Sequence, residues 1–235
     1  MNLFFLQVII DSAQIKDSLA RVAMLAAQQK QDLLDILMKG GPLMIPLALL
    51  FVIDIFVFFE RLITIKKMSK LDDNFMNIVR DHIISGNVSA ARSLTKNTPT
   101  AVAQMIDKGI QRVGKPIEAI ERSMENVGKL ELYKMERNLA ILSGIAYLGP
   151  LFGFLGTIFG MFQLFYSIAS TGGQITLAGI AGGIYVKMIS SASGLIIGII
   201  AYIGYRYLNS QIDKTTHKME AASADFIDIL QEPTR

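Results

Sequence analysis

Apolar and polar residues along this chain fall into long blocks rather than into the short alternation of β-strands. Three blocks are apolar enough to read as membrane helices: residues 42–60, 139–168 and 176–205. The first, LMIPLALLFVIDIFVFF, carries one charge, Asp54, and has Pro42 and Pro46 in its opening turns, where missing amide donors cost least. A short uncharged turn, 169–175, joins the second block to the third. The polar blocks, 1–41, 61–138 and 206–235, carry helical periodicity. A helix is predicted from Leu71 to a stop at Gly86. Asn87 then caps VSAARSLTK, and Thr98-Pro99 opens AVAQMIDKGIQRV. Pro116 starts a further helix with no strong breaker before the second block, which predicts one uninterrupted rod. Ile212, Met219 and Phe226 recur every seven residues with Leu230 beside them, so the third block is expected to continue as an amphipathic tail. No strand pattern persists, and the predicted fold class is all-α: three transmembrane helices, the second and third extended into a cytoplasmic helical bundle.

Composition supports the membrane reading. The 235 residues are 51% hydrophobic with a mean hydropathy of +0.42. From Asn138 through Val186 run 49 residues without Asp, Glu, Lys or Arg. The basic residues orient the spans, because cytoplasmic flanks carry the excess of Lys and Arg. Segment 61–140 has 14 Lys and Arg against 9 Asp and Glu, whereas 1–42 has four of each sign. The N-terminus is therefore expected outside and 61–138 and 206–235 in the cytoplasm. MNLFFLQVII lacks the basic start of a signal peptide, so 1–41 reads as an external amphipathic segment in preference to a cleaved leader. With no cysteine, there is no disulfide or thiolate metal site. His82 and His217 are isolated, so no metal site is expected, and no basic–aromatic cluster suggests nucleic acid. GIQRVGKP, residues 109–116, approaches a phosphate-binding loop but has Pro116 where Ser or Thr must stand.

Candidate chemistry concentrates in the second and third blocks. GPLFGFLGTIFGMF spaces Gly149, Gly153, Gly156 and Gly160 at small-x3-small intervals, a pattern that lets helices approach backbone to backbone. Thr157 is the one polar side chain there, and a lone membrane threonine often bonds its own helix. In the third block, Lys187, Ser190, Ser191, Gly194 and Gly198 fall on one polar, small-residue stripe, which must face protein or water. A membrane lysine also needs a partner or a wet cavity. Asp54 and Lys187 each lie about eleven residues from the outer end of their spans, which suggests an intramembrane ion pair; a pore-facing or snorkelling Lys187 are the alternatives.

These residues resemble the ExbB/TolQ/MotA proton-channel family, and its ExbB-like members in particular. The second-span signature of Pro, Gly, Gly-Thr and Gly stands as Pro150, Gly153, Gly156-Thr157 and Gly160. The third-span signature stands as Gly183-Ile184, Ser190-Ser191-Ala192 and Gly194-Leu195. The resemblance covers residues 42 to about 210. It implies a ring-forming homo-oligomer, usually a pentamer, around an ExbD-like single-span partner whose membrane Asp carries the proton. Thr157 and Ser191 would match the family's pore threonines, with Ser190 a possible third hydroxyl on the ion pathway. Pro150, Gly153, Gly156, Gly160 and Gly194 would serve helix packing. No cofactor and no covalent catalysis are implied; the translocated ion is H+, with Na+ left open. The family's frequent span-three glutamate is Val186 here, and its threonine pair is Ser190-Ser191. The long N-terminal extension resembles ExbB more than TolQ, which points to energising a TonB-like protein from the bacterial inner membrane rather than to envelope maintenance. A purely structural helix bundle and a small-solute transporter are the readings from other classes; the latter is disfavoured by the lack of an internal repeat of spans.

Overall fold

The structure is a computed structural model that describes residues 40–72, 74–170 and 177–232. The expected external helix within 1–41 and most of the 169–175 turn lie outside them. Every regular element among the described residues is helical. They are α1 (Met44–Ser69), α2 (Phe75–Ile84), α3 (Val88–Asn97), α4 (Ala101–Ile110), α5 (Ile117–Glu136), α6 (Leu139–Ser170) and α7 (Leu177–Gln231).

Local chemistry accounts for most boundaries. Asn87 caps α3 by accepting from the Ala90 amide at 3.2 Å. The cap of α4 is Thr100, not Thr98: its hydroxyl accepts from the Ala103 amide at 3.3 Å. Thr98 instead closes α3, donating to the Leu94 carbonyl at 2.9 Å. Pro99 forces the residue before it out of the helical region, and Thr98 is extended with ψ 105°.

The predicted uninterrupted rod is corrected. Arg137 is extended (ψ 134°) and Asn138 is left-handed (φ 65°), so the chain makes a tight turn between α5 and α6. Asparagine is among the few residues that tolerate this conformation, so the breaker was a residue without the usual Gly or Pro signal. The expected continuation of the third block does hold. α7 is one 55-residue helix, and Ile212, Met219 and Phe226 are all buried in its C-terminal half.

The helices form two packed regions. In the polar region, α4 is enclosed on nearly every side, and α5 and α7 close over it. A methyl group at Gly109 would meet Met124 Sδ at 2.6 Å and Phe226 Cε1 at 2.7 Å, so these helices touch at van der Waals distance. The apolar region is α6 laid against the N-terminal half of α7, with α1 in the groove beside them through Leu47, Ile145, Ile197 and Ala201. Two stretches, Ile117–Ser170 and Ile180–Gln231, are long and apolar enough to cross a membrane. The apolar run of α1 from Met44 to Phe59 covers about 24 Å before Glu60-Arg61, less than the roughly 30 Å of a bilayer core.

Candidate functional site

The glycine stripe of α6 is the contact surface for α7. A methyl group at Gly149 would lie 2.9 Å from the Gly194 carbonyl oxygen, and one at Gly153 would lie 2.9 Å from that of Ser190. On the facing helix, a methyl at Gly194 would strike the backbone of Gly149 and Gly153, and one at Gly198 the ring of Pro150 at 2.5 Å. These positions admit no side chain because backbone meets backbone. The same feature lowers helix propensity and creates the docking surface.

Three of the candidate hydroxyls lie along this seam in different ways. Ser190 is 1% exposed and packs on Gly156 with its hydroxyl donating to the Lys187 carbonyl at 2.9 Å. It fills the seam, because the missing side chain at Gly156 leaves room for that one small group. Thr157 and Ser191 are only half-buried. The Thr157 hydroxyl donates to the Phe154 carbonyl at 2.6 Å, which leaves its oxygen free to accept. Ser191 rests its backbone on Gly153, so it lies about one turn from Thr157 along the seam. With 3.6 residues per turn, both lie on the flank of their helices opposite Ile145, Phe152, Ile197 and Ala201, the residues that meet α1. One side of the α6–α7 pair thus carries α1, and the other carries two hydroxyls on an otherwise apolar surface that includes Met188 and Leu195.

The expected Asp54–Lys187 ion pair does not form in the structure. Lys187 lays its methylene stem over Gly160 and reaches Gln163 Oε1 at 3.5 Å. Asp54 is 3% exposed, and its Oδ1 has no hydrogen-bond partner. The reason is stagger. Phe58 of α1 packs on Gly204, and Leu43 reaches the Gly156–Ser190 contact. Asp54 is therefore level with about residue 200 of α7, about thirteen residues or roughly 20 Å beyond Lys187. Counting from the span ends assumed that α1 and α7 start together, whereas α7 begins well beyond α1. Gln163, the partner that Lys187 does use, was signalled only by being a second polar residue in an apolar run.

A second buried charge also escaped the sequence reading. Arg61 is 5% exposed, pairs with its neighbour Glu60 and donates to the Lys134 carbonyl of α5 at 3.2 Å. Nothing in ERLITIKK separates it from the solvated lysines that follow. Nearby, the hydroxyls of Ser69 and Thr215 bond to each other, tying the end of α1 to α7. The near phosphate loop has no phosphate-loop geometry: Gly109 is buried in α4, and residues 111–115 form turns after it. Among the described residues, no group of three His, Cys, Asp or Glu could hold a metal, and His217 sits beside Glu220 at 3.2 Å on an exposed face.

Comparison with known proteins agrees with the residues that carry the resemblance. The family model described as the MotA/TolQ/ExbB proton channel family matches residues 97–221, which include both glycine stripes and both hydroxyls. A Synechocystis protein designated biopolymer transport protein ExbB-like 1 is 28% identical over 186 residues, covering 77% of this chain and 72% of its own. The Vibrio cholerae biopolymer transport protein exbB1 is 35% identical over 88 residues, or 37% of this chain and 39% of its own. The Tol-Pal system protein TolQ of Pseudomonas aeruginosa is 30% identical over 114 residues, 48% of this chain and 49% of its own. The matched segment thus spans less than half of the latter two relatives.

Proposed function

The chain is a membrane protein of the MotA/TolQ/ExbB proton channel family, and from that premise we propose that it is an ExbB-like subunit of a proton-driven motor. In this reading α1 is the first of three spans, the N-terminus is periplasmic, and the α2–α5 bundle with the end of α7 is cytoplasmic in a bacterial inner membrane. Copies form a ring, a pentamer by family resemblance, around an ExbD-like single-span partner with a membrane Asp. The assembly uses the proton motive force to energise a TonB-like protein. It acts without covalent catalysis and without a bound cofactor.

The observation that carries the proposal is the common flank of Thr157 and Ser191, about one turn apart along the seam, on the side of the α6–α7 pair away from α1. Facing the ring axis, these alcohols would meet the partner's carboxyl. A hydroxyl accepts from the protonated acid and donates to the carboxylate. It therefore serves both states of the carrier without a fixed charge that would hold the ion, Thr157 donating only when its hydroxyl leaves the Phe154 carbonyl. Ser190, sealed in the seam, contributes spacing instead. A TolQ-like role in envelope maintenance is the second reading, favoured by the Pseudomonas TolQ match; a sodium-driven relative is its ionic counterpart.

Reconstitution with the single-span partner tests the assignment. Thr157→Ala and Ser191→Ala should assemble normally, yet each should lower proton flux by about tenfold or more, equivalent to about 1.4 kcal/mol on the barrier. Wild-type flux in both would remove the pore role. Flux that requires sodium at fixed membrane potential would replace H+ with Na+.

A further inference from the structure

Asp54 is an acid that neither the resemblance nor the hydroxyl pathway uses. We propose that it is a proton-binding site of its own: a neutral carboxylic acid enclosed where α1 meets α6 and α7, whose proton couples the docking of α1 to the rest of the membrane region.

The side chain is 3% exposed to begin with, its Oδ1 is unpartnered, and the enclosure is made by this chain's own helices. The burial therefore holds whether or not α1 crosses the bilayer, although the coupling to a proton motor rests on the reading proposed above. The same face of α1 carries Leu47 and Val57, both buried. At this level α6 and α7 present Leu142, Ile145, Ile197 and Ala201. Ionisable groups on the packed elements are either distant or engaged. α6 has no Asp, Glu, Lys or Arg, and its Tyr147 and Tyr166 are exposed. On α7, Lys187 lies roughly 20 Å away in the direction of Gln163, Tyr202 and Arg206 are exposed, and Tyr205 is half-buried against the apolar core. Arg61, two turns along α1, is taken by Glu60 and by the Lys134 carbonyl of α5. On α5, Glu131 pairs with Lys134 at 2.5 Å, and on α4, Asp107 is bonded to Gln111 and Thr95.

A carboxylate in such a place loses its hydration and gains no counter-charge, whereas a neutral acid forfeits only hydrogen bonds. The proton-bound form is the one compatible with α1 in its seat. Release breaks the Asp54 O–H bond and passes the proton to water, which reaches the oxygen only if α1 lifts from the α6–α7 groove. Protonation and docking are then one equilibrium: α1 is held while the proton is bound and is loosened as the pH rises.

Infrared spectroscopy of the full chain in lipid discs tests this. At pH 7 the wild type should show a protonated-carboxyl stretch that shifts in deuterated buffer, and Asp54→Asn should lose that band. Enrichment with carbon-13 aspartate separates aspartate bands from those of glutamate. The other aspartates among the described residues are in the polar bundle, and Asp11, Asp17, Asp32, Asp35 and Asp73 lie outside the described residues, so a protonated aspartate at pH 7 is assigned to Asp54 by its absence from the enriched Asp54→Asn spectrum. Loss of only a carboxylate band in Asp54→Asn, or a fully ionised aspartate spectrum in the enriched wild type, would overturn the site. Proton flux with the partner is read separately. A normal band with no flux would count against the pore hydroxyls and not against Asp54.

Discussion

At the scale of single residues, the seam between α6 and α7 turns on the absence of atoms. Gly194 and Gly144 are both helical glycines in apolar sequence, yet they should respond oppositely to alanine. At Gly194 the new methyl collides with backbone of the facing helix, which cannot swing away as a side chain would. Gly194→Ala should destabilise the protein by about 1–3 kcal/mol, the usual cost of overpacking. Gly144 has open space where a methyl would go. Gly144→Ala should stabilise it by up to about 1 kcal/mol, the gain in helix propensity. Thermal unfolding of the two variants in the same detergent compares them directly, and equal effects would contradict this account of the seam. The candidate hydroxyls obey the same rule of local space. Ser190 fits because Gly156 has no side chain, while Thr157 and Ser191, one position around their helices, are left at the edge.

At the scale of elements, the α5–α6 junction shows how a helix can end without a strong signal. Arg137 and Asn138 take the central positions of a type II-like turn, and only Asn138 needs positive φ. Asn138→Gly should therefore be nearly neutral. Asn138→Ala should cost about 1–2 kcal/mol, the penalty of a β-carbon in the left-handed region. Chemical denaturation resolves that difference. If alanine is tolerated as well as glycine, the junction is not held by this conformation. The other ends were more legible. Asn87 and Gly86 mark the α2–α3 boundary in sequence and in structure, while the cap of α4 moved from Thr98 to Thr100 because both threonines flank the same proline.

At the scale of the whole molecule, helix stagger decides which charges meet. Equal distances from the span ends pair Asp54 with Lys187 in the sequence, whereas the contacts at Phe58–Gly204 and Leu43–Gly156 place them roughly 20 Å apart. The charge-swapped double variant Asp54→Lys with Lys187→Asp should accordingly show no rescue of assembly over either single variant. Recovery in a membrane-assembly assay would restore the pair. The sequence by itself determined the all-helical class, the apolar and polar blocks, the long α7 and the glycine stripes, because each follows from neighbours within a few turns and from the 3.6-residue repeat. Only the tertiary structure decided that Ser190 enters the seam while Thr157 and Ser191 stay on its open flank, that Lys187 reaches Gln163, and that Asp54 is left alone. Those outcomes depend on where two glycine surfaces lock together, and that register is a property of complementary shapes rather than of position along either helix.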